Sequence, residues 1–250
     1  MISKKYLVSC RLLVLLFIAL NVQYVSVSAE EKYFEGIIEP SELVKVSSPV
    51  EGILEEVLFD RGESVKKDQI IAFLNSNIEK AAADLALARV EFSRRKVERN
   101  EDLYKKQLLS IHDKDEMETE LKIAELQYKD AQEKVEIKNI RSPVDGVVVE
   151  RFLSRGEYMG EDPVMLIAQI DPLYIEVVIP AEEYGKIKKG ASAVIKIEYP
   201  VSRELKAKVS VVDPVIDAAS STFGVRLVLP NPNYSLPAGI KCKVFFRSLQ

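Results

Sequence analysis

Ser48-Pro49-Val50-Glu51-Gly52 and Ser142-Pro143-Val144-Asp145-Gly146 are one short word written twice, 94 residues apart, and the interval between them reads as helix. Sliding the chain against itself by 94 positions extends the match without a gap. Arg61-Gly62-Glu63 falls on Arg155-Gly156-Glu157, Glu56 on Glu150, and Asp68 on Asp162. Ile53, Leu54, Leu58, Phe59 and Ile70 fall on Val147, Val148, Phe152, Leu153 and Val164, so apolar positions stay in register. A repeat at fixed offset signals structural duplication, and two copies predict a pseudo-symmetric β-sandwich rather than a solenoid. Each half offers a Pro/Gly turn, a short apolar run and a second turn at Arg-Gly-Glu. Pro49, Gly52, Gly62, Pro143, Gly146 and Gly156 are the expected turn residues. Gly52 and Gly146 are expected at backbone angles or close approaches that other residues resist.

From Asn77 the period changes to helical. Ile78, Ala81, Leu85, Ala88 and Phe92 recur at spacings of three and four, and the returning segment carries Met117, Leu121, Ala124, Tyr128, Ala131 and Val135. Two such stripes joined by a link at about 108 to 113 predict an antiparallel coiled-coil hairpin, with Leu85, Phe92, Leu121, Ala124 and Tyr128 in its seam. About thirty helical residues at 1.5 Å each give an arm on the order of 45 Å. Its apolar stripe is too narrow for a core, so it reads as a reaching device whose outer faces serve partners. At the tip, Arg99, Leu103 and Ser110 stand four and seven apart. Arg99 and Leu103 share one helix face, and Ser110 stands where its hydroxyl can cap the returning helix.

Two such halves resemble the biotinyl/lipoyl-type domain. Split by a helical hairpin and followed by further strands, they resemble the periplasmic adaptors, or membrane fusion proteins, of tripartite efflux and secretion systems. The resemblance runs from about residue 35 onward. It implies a mixed α and β, elongated, multi-module fold: a split lipoyl-like sandwich, an inserted coiled-coil hairpin, then a small antiparallel β-barrel. It also implies that Arg99, Leu103 and Ser110 match the Arg-x3-Leu-x6-Ser signature by which these adaptors engage an outer-membrane channel. The other implied partners are an inner-membrane transporter, of resistance–nodulation–division type in preference to ABC type, and further copies of the chain in a hexameric ring. Many members carry Gly in the turn before the last strand of the first half. Here that turn reads Lys66-Lys67-Asp68-Gln69, and Asp accepts such a conformation.

The first 29 residues stand apart from this pattern. Lys4, Lys5 and Arg11 precede the apolar run Leu12 to Leu20, and Val27-Ser28-Ala29 offers small residues for cleavage. The segment reads as a signal peptide, with a retained N-terminal anchor as the alternative, and implies export to the periplasm and association with the inner membrane. Cleavage would remove three cations and no acid, taking the formal charge from −4 to −7. It would also leave Cys242 as the single cysteine, so no intramolecular disulfide forms. An acidic chain without a Lys/Arg block argues against nucleic-acid binding.

The expected divisions are 30–42, an N-terminal strand joining the barrel; 43–75, the first lipoyl-like half; 76–138, the hairpin; 139–170, the second half; and 171–250, the barrel. Within the last, Leu173 to Ile179, Ala193 to Glu198, Leu205 to Val212, Gly224 to Leu229 and Ile240 to Phe246 read as strands, with a short helix from Ala181 to Ile187. Asp213-Pro214, Asn231-Pro232-Asn233 and Pro237-Ala238-Gly239 are turn residues whose chemistry is conformational.

No cofactor, metal or catalytic machinery is expected. There is no His/Cys/Asp cluster at ligand spacing, no Gly-rich phosphate loop and no nucleophile elbow. His112 is the only histidine, and four Met residues give no soft-metal signature. An enzyme-linked lipoyl or biotinyl carrier needs a modifiable lysine at the turn between its halves, and here helices replace that turn. A purely structural envelope coiled coil is the rival of another class, but it has no reason to carry a split repeat.

Overall fold

The 94-residue repeat appears in three dimensions as a two-fold exchange of strands. The computed structural model describes residues 32–199 and 202–247, and the described residues from Tyr33 onward form one compact unit. The expected signal peptide lies outside the described residues. The elements are β1 (Phe34–Val46), β2 (Gly52–Val57), β3 (Ser64–Val65), β4 (Ile70–Leu74), α1 (Asn77–Lys105), α2 (Ile111–Glu136), β5 (Asn139–Arg141), β6 (Gly146–Arg151), β7 (Tyr158–Met159), β8 (Met165–Pro180), β9 (Ser192–Ile197), β10 (Arg203–Val212), β11 (Thr222–Leu229) and β12 (Ile240–Phe246).

One sandwich sheet has the order β5-β4-β2-β7, and its counterpart, 94 residues displaced, is the second half of β1, the first half of β8, β6 and β3. The halves interlock. Gly52 of β2 pairs with Met159 of β7, while Gly146 of β6 pairs with Val65 of β3. The N–H of Leu54 donates to the Glu157 carbonyl and that of Val148 to the Glu63 carbonyl, each at 2.9 Å. The N–H of Gly156 donates to Leu54 and that of Gly62 to Val148, each at 2.8 Å. Each half therefore closes on the other, around a core of Val46, Leu54, Ile71, Leu74, Val148, Met159 and Ile167.

The turns explain why those residues recur. Gly62 and Gly156 sit at φ 90° and 86°, the left-handed region that side chains resist. After each, a glutamate carboxylate accepts from the backbone three residues earlier, Glu63 from Asp60 at 2.7 Å and Glu157 from Ser154 at 2.8 Å. Asp68 takes φ 64°, as the turn before the last strand requires. Gly52 and Gly146 are not equivalent. A Cβ at Gly146 would stand 2.3 Å from the Ala168 carbonyl oxygen, whereas one at Gly52 would meet nothing closer than 3.6 Å.

The barrel closes in the order β1-β12-β9-β10-β11-β8, with β8 pairing back onto β1. Alternate residues of β8 (Leu173, Ile175, Val177, Ile179) are buried and pack with Ile38, Ile195, Leu227, Val244 and Phe246. Ile187, from the β8–β9 connection, and Leu236, from the β11–β12 connection, join that core. The first of these connections contains a three-residue 3-10 turn, Ala181–Glu183, where the sequence predicts a helix to Ile187. Gly185 and Gly190, at φ 85° each, take the chain out of helical conformation.

Two strands belong to both modules. The first half of β1 pairs with β12 and with the second half of β8 in the barrel. Its second half pairs with the first half of β8 in the sandwich. The sequence boundaries at 42/43 and 170/171 thus fall inside continuous strands. Among the described residues no helix is long and apolar enough to cross a membrane.

Candidate functional site

The hairpin is the feature that a simple sandwich does not need, so its geometry carries the functional argument. At its base, Lys138 Nζ lies 3.2 Å from Glu79 Oε1 and donates to the Glu51 carbonyl at 3.4 Å. Arg141 binds Glu136 at 2.7 Å and the Asp68 carbonyl at 2.8 Å. These contacts tie both helices to both sandwich halves. The Glu79 carboxyl is held below its ordinary 4.5, first by a backbone hydrogen bond and then by Lys138, against the opposing effect of desolvation. The Glu136 carboxyl is likewise lowered, first by Arg141.

Each helix packs on the other, and α2 buries Met117, Ala124 and Ala131 against α1. Leu121 and Tyr128, on the same face of α2, are half-buried. On α1 the inner face is a different one from that expected. Leu85 and Phe92 are 60% and 61% exposed, while Val90 is buried and Ala83, Ala86, Leu87, Ser93 and Val97 are half-buried along the same line. Leu85 and Phe92 are therefore not in the seam. Alanines, a serine and the aliphatic Leu87, Val90 and Val97 occupy it, and the bulky pair faces outward. With Ala88 and Ile123 they line an open apolar groove along the side of the hairpin. Across the seam, Arg94 pairs with Glu125 and Lys96 with Glu120.

Two termination motifs meet at the tip. The Gln107 N–H donates to the Tyr104 carbonyl and the Leu108 N–H to the Leu103 carbonyl, with Gln107 at φ 57°. This is a Schellman ending to α1. Three residues on, Ser110 opens α2 with a capping box. Its hydroxyl accepts from the Asp113 N–H at 3.1 Å and donates to Asp113 Oδ2 at 2.6 Å, and that carboxylate accepts from the Ser110 N–H at 3.3 Å. The Ser110 hydroxyl, foremost, holds the Asp113 carboxyl below its ordinary value. The tip is thereby fixed without a glycine.

Three large apolar side chains remain outside. Leu103 is 40% exposed, Leu108 71% and Ile111 58%. Arg99, one turn below Leu103, lays its Nε against the Arg95 carbonyl at 3.1 Å. The structure thus brings Leu103 and Ser110 together at the tip, with Arg99 beside Leu103 and the Ser110 hydroxyl engaged in capping. Leu108 and Ile111 escaped the sequence reading. Their signal was available, because apolar residues in a predicted link have no core to enter. Gly52, after Pro49, lies at the base of the helices, beside Leu74 and Lys138, whereas Gly146, after Pro143, lies beside Ala168 on the strand that leads into the barrel; Gly62 and Gly156 shape the exchanged turns. His112 is exposed beside the tip, and no group of three or more His, Cys, Asp or Glu among the described residues is placed to hold a metal ion. Cys242 is buried in the barrel, which pushes its thiol up to about 11.

Comparison with known proteins gives two family matches: the CzcB-like, barrel-sandwich hybrid domain over residues 42–169 and the CusB-like, beta-barrel domain over residues 172–249. Relatives include the cobalt-zinc-cadmium resistance protein CzcB of Cupriavidus metallidurans, 24% identical over 76% of this chain and 39% of its own. Another is the antibiotic efflux pump periplasmic linker protein ArpA of Pseudomonas putida, 22% identical over 79% of this chain and 58% of its own. The chain therefore spans only part of the length of these relatives. Among solved structures, a MacA–MexA chimeric protein carrying the Pseudomonas aeruginosa MexA alpha-hairpin domain superposes with a TM-score of 0.74 at 20% identity, covering 88% of this chain and 82% of that one. A putative efflux transporter from Bacteroides eggerthii gives 0.67 at 18% identity, covering 85% and 67%. Split sandwich, inserted hairpin and closing barrel all lie inside these matches, and the chain belongs to the periplasmic adaptor, or membrane fusion protein, family of efflux systems.

Proposed function

We propose that this chain is the non-enzymatic adaptor of a tripartite efflux pump, linking an inner-membrane transporter to an outer-membrane channel across the periplasm. The observation that carries this reading is the tip. A two-helix arm, rigidly ended by a Schellman motif and a capping box, leaves Leu103, Leu108 and Ile111 exposed at its tip. Exposed apolar side chains grouped on a rigid end are a docking feature. Arg99 and Leu103 would meet the channel from one face of α1, with Ser110 holding the turn that presents them. The apolar groove beside Leu85 and Phe92 supports lateral contact with further copies, in a ring that the family resemblance puts at six. The barrel would meet the transporter, with the resistance–nodulation–division type favoured. Residues 1–29 would direct export.

Photo-crosslinking from position 103 in living cells, with the captured protein identified by mass, tests the reading. Capture of an outer-membrane channel is the expected result, together with loss of transport in Leu103→Asp at normal levels of folded, exported protein. Undiminished transport in that variant removes the tip from the mechanism.

A further inference from the structure

The barrel and the sandwich are joined by β1 and β8, and the pairing of those two strands fails where they cross from one module to the other. Gln169 is in register with Glu42 and Leu173 with Pro40, so Ile170, Asp171 and Pro172 stand opposite the single residue Ser41. None of the three is in register with β6 or β11 either. A two-stranded crossing with its ladder interrupted bends easily and would act as a hinge if nothing else held it.

Asn231 holds it. This side chain, 1% exposed, comes from the loop between β11 and β12. Its Nδ2 donates to the Ile170 carbonyl at 2.8 Å and to the Leu236 carbonyl at 2.9 Å. Its Oδ1 accepts from the Leu236 N–H at 2.9 Å and from the Ser235 hydroxyl at 3.3 Å. Its own N–H donates to Asp171 Oδ1 at 2.9 Å. Both amide hydrogens and both oxygen lone pairs are used, which is all an asparagine can offer. Leu236 lies in the barrel core, so the interrupted stretch of β8 is tied through one buried amide to the barrel interior.

The same loop packs along β8. Tyr234 is half-buried, and desolvation, followed by the charges of Asp145 and Asp171, raises its hydroxyl above the ordinary 10. Asp145 belongs to the turn that enters β6. Asn233 and Tyr234 are held at φ 59° and 52°. An aromatic residue in the left-handed region is rare and persists only where its surroundings over-determine it.

We infer that the 230–239 loop is a latch, with Asn231 as its bolt, that converts the β1/β8 crossing from a hinge into a fixed joint. Displacement of the barrel then reaches the sandwich as rotation of one body instead of being lost in bending. The inference concerns the mechanics of the chain alone and stands independently of the partners proposed above.

Spin labels at Arg155→Cys, on the sandwich, and Lys206→Cys, on the barrel, in full-length Cys10→Ser protein, read the angle as a distance distribution. Both label sites are exposed, and Cys242 is shielded by burial. The latched protein is expected to give one narrow distribution. Asn231→Asp is isosteric but sets a carboxylate against two carbonyls it can no longer donate to. It is expected to broaden the distribution and to speed hydrogen exchange at the Leu236 amide roughly tenfold, the scale of one lost buried hydrogen bond. Exchange at Ile195 and Val225, deep in the barrel, should stay as slow as before and so report that the barrel is folded. Should Asn231→Asp fail to fold, Asp171→Ala removes the acceptor of the Asn231 N–H and the charge that acts on Tyr234 while leaving the Asn231 side-chain bonds, and is expected to broaden the distribution less. A distribution already broad in the unaltered loop, or one that stays narrow in the folded variant, overturns the latch.

Discussion

Gly146→Ala and Gly52→Ala are the same substitution at two positions that the repeat makes equivalent, and the structure assigns them opposite effects. At Gly146 the new methyl carbon would stand 2.3 Å from the Ala168 oxygen, 2.9 Å from its carbonyl carbon and 3.0 Å from the Ile167 side chain. Ala168 is in register with Val147, so this clash opens the β6–β8 ladder that joins the second half of the repeat to the crossing strand. Relief requires a backbone shift of roughly 1 Å, and forced repacking of this kind costs about 1–3 kcal/mol, with backbone contacts at the upper end. At Gly52 the nearest atoms are Lys138 Nζ at 3.6 Å and Leu74 at 3.7 Å, ordinary van der Waals contact. There the methyl group restricts the unfolded chain without strain and should stabilise by about 0.5 kcal/mol. Urea unfolding followed by circular dichroism separates the two. With a slope of about 1–3 kcal/mol per molar urea, the Gly146→Ala midpoint should fall by about 1 M while that of Gly52→Ala holds or rises slightly. Equal shifts in the two variants would refute the reasoning, because symmetry of sequence would then have outweighed asymmetry of packing.

Two further outcomes follow from the titratable groups. Glu79 and Glu136 have carboxyls lowered in the folded hairpin base, so their contribution is present above the unfolded value near 4.5 and is lost as pH falls through the folded value. Hydrogen exchange at the base of α1 should therefore be unchanged from pH 8 to 5, after correction for intrinsic rates, and quicken below about pH 4; loss of protection on raising the pH would have the wrong sign. Cys242, its thiol pushed up to about 11 by burial, should resist maleimide at neutral pH in the folded protein and react at once in denaturant; rapid labelling of native protein would place it at the surface.

The sandwich was legible because its information is doubled. Turn glycines, turn glutamates and apolar register all recur at one offset, and each copy checks the other. The stripe of α2 was legible for a related reason: Met117, Leu121, Ala124, Tyr128, Ala131 and Val135 are its one consistent small-or-apolar line. α1 carries two such lines. The bulky one, Ile78, Leu85 and Phe92, drew the sequence reading, but the helices approach along the line of Ala83, Ala86, Leu87 and Val90, and large side chains are left for the outside. Hydrophobicity alone does not separate a seam from a docking face. At the tip, Ser110 followed by Asp113 announces a cap, whereas Gln107 in the left-handed region has no signature, since glycine or asparagine is the usual occupant. The role of Asn231 was beyond reach as well. Its partners Ile170 and Asp171 lie some sixty residues away, and only the failed register between β1 and β8 creates a need for them.

Because each half of the sandwich is completed by strands of the other, neither half can fold by itself. The segments 48–74 and 142–168 are separated by 94 residues of chain, and a flexible connection between them would close slowly. The helices change that arithmetic. They form from local contacts within about a microsecond, and once α2 zips back along α1 only the five-residue turn 106–110 has been closed as a loop. Replacing closure over 94 residues by closure over about six lowers the entropic cost by about 2 kcal/mol. The arm is thus also a folding clamp, delivering the two halves of the sandwich to each other in register. A flexible linker of equal length should slow refolding of the sandwich, whereas an arm shortened by whole turns in both helices should not.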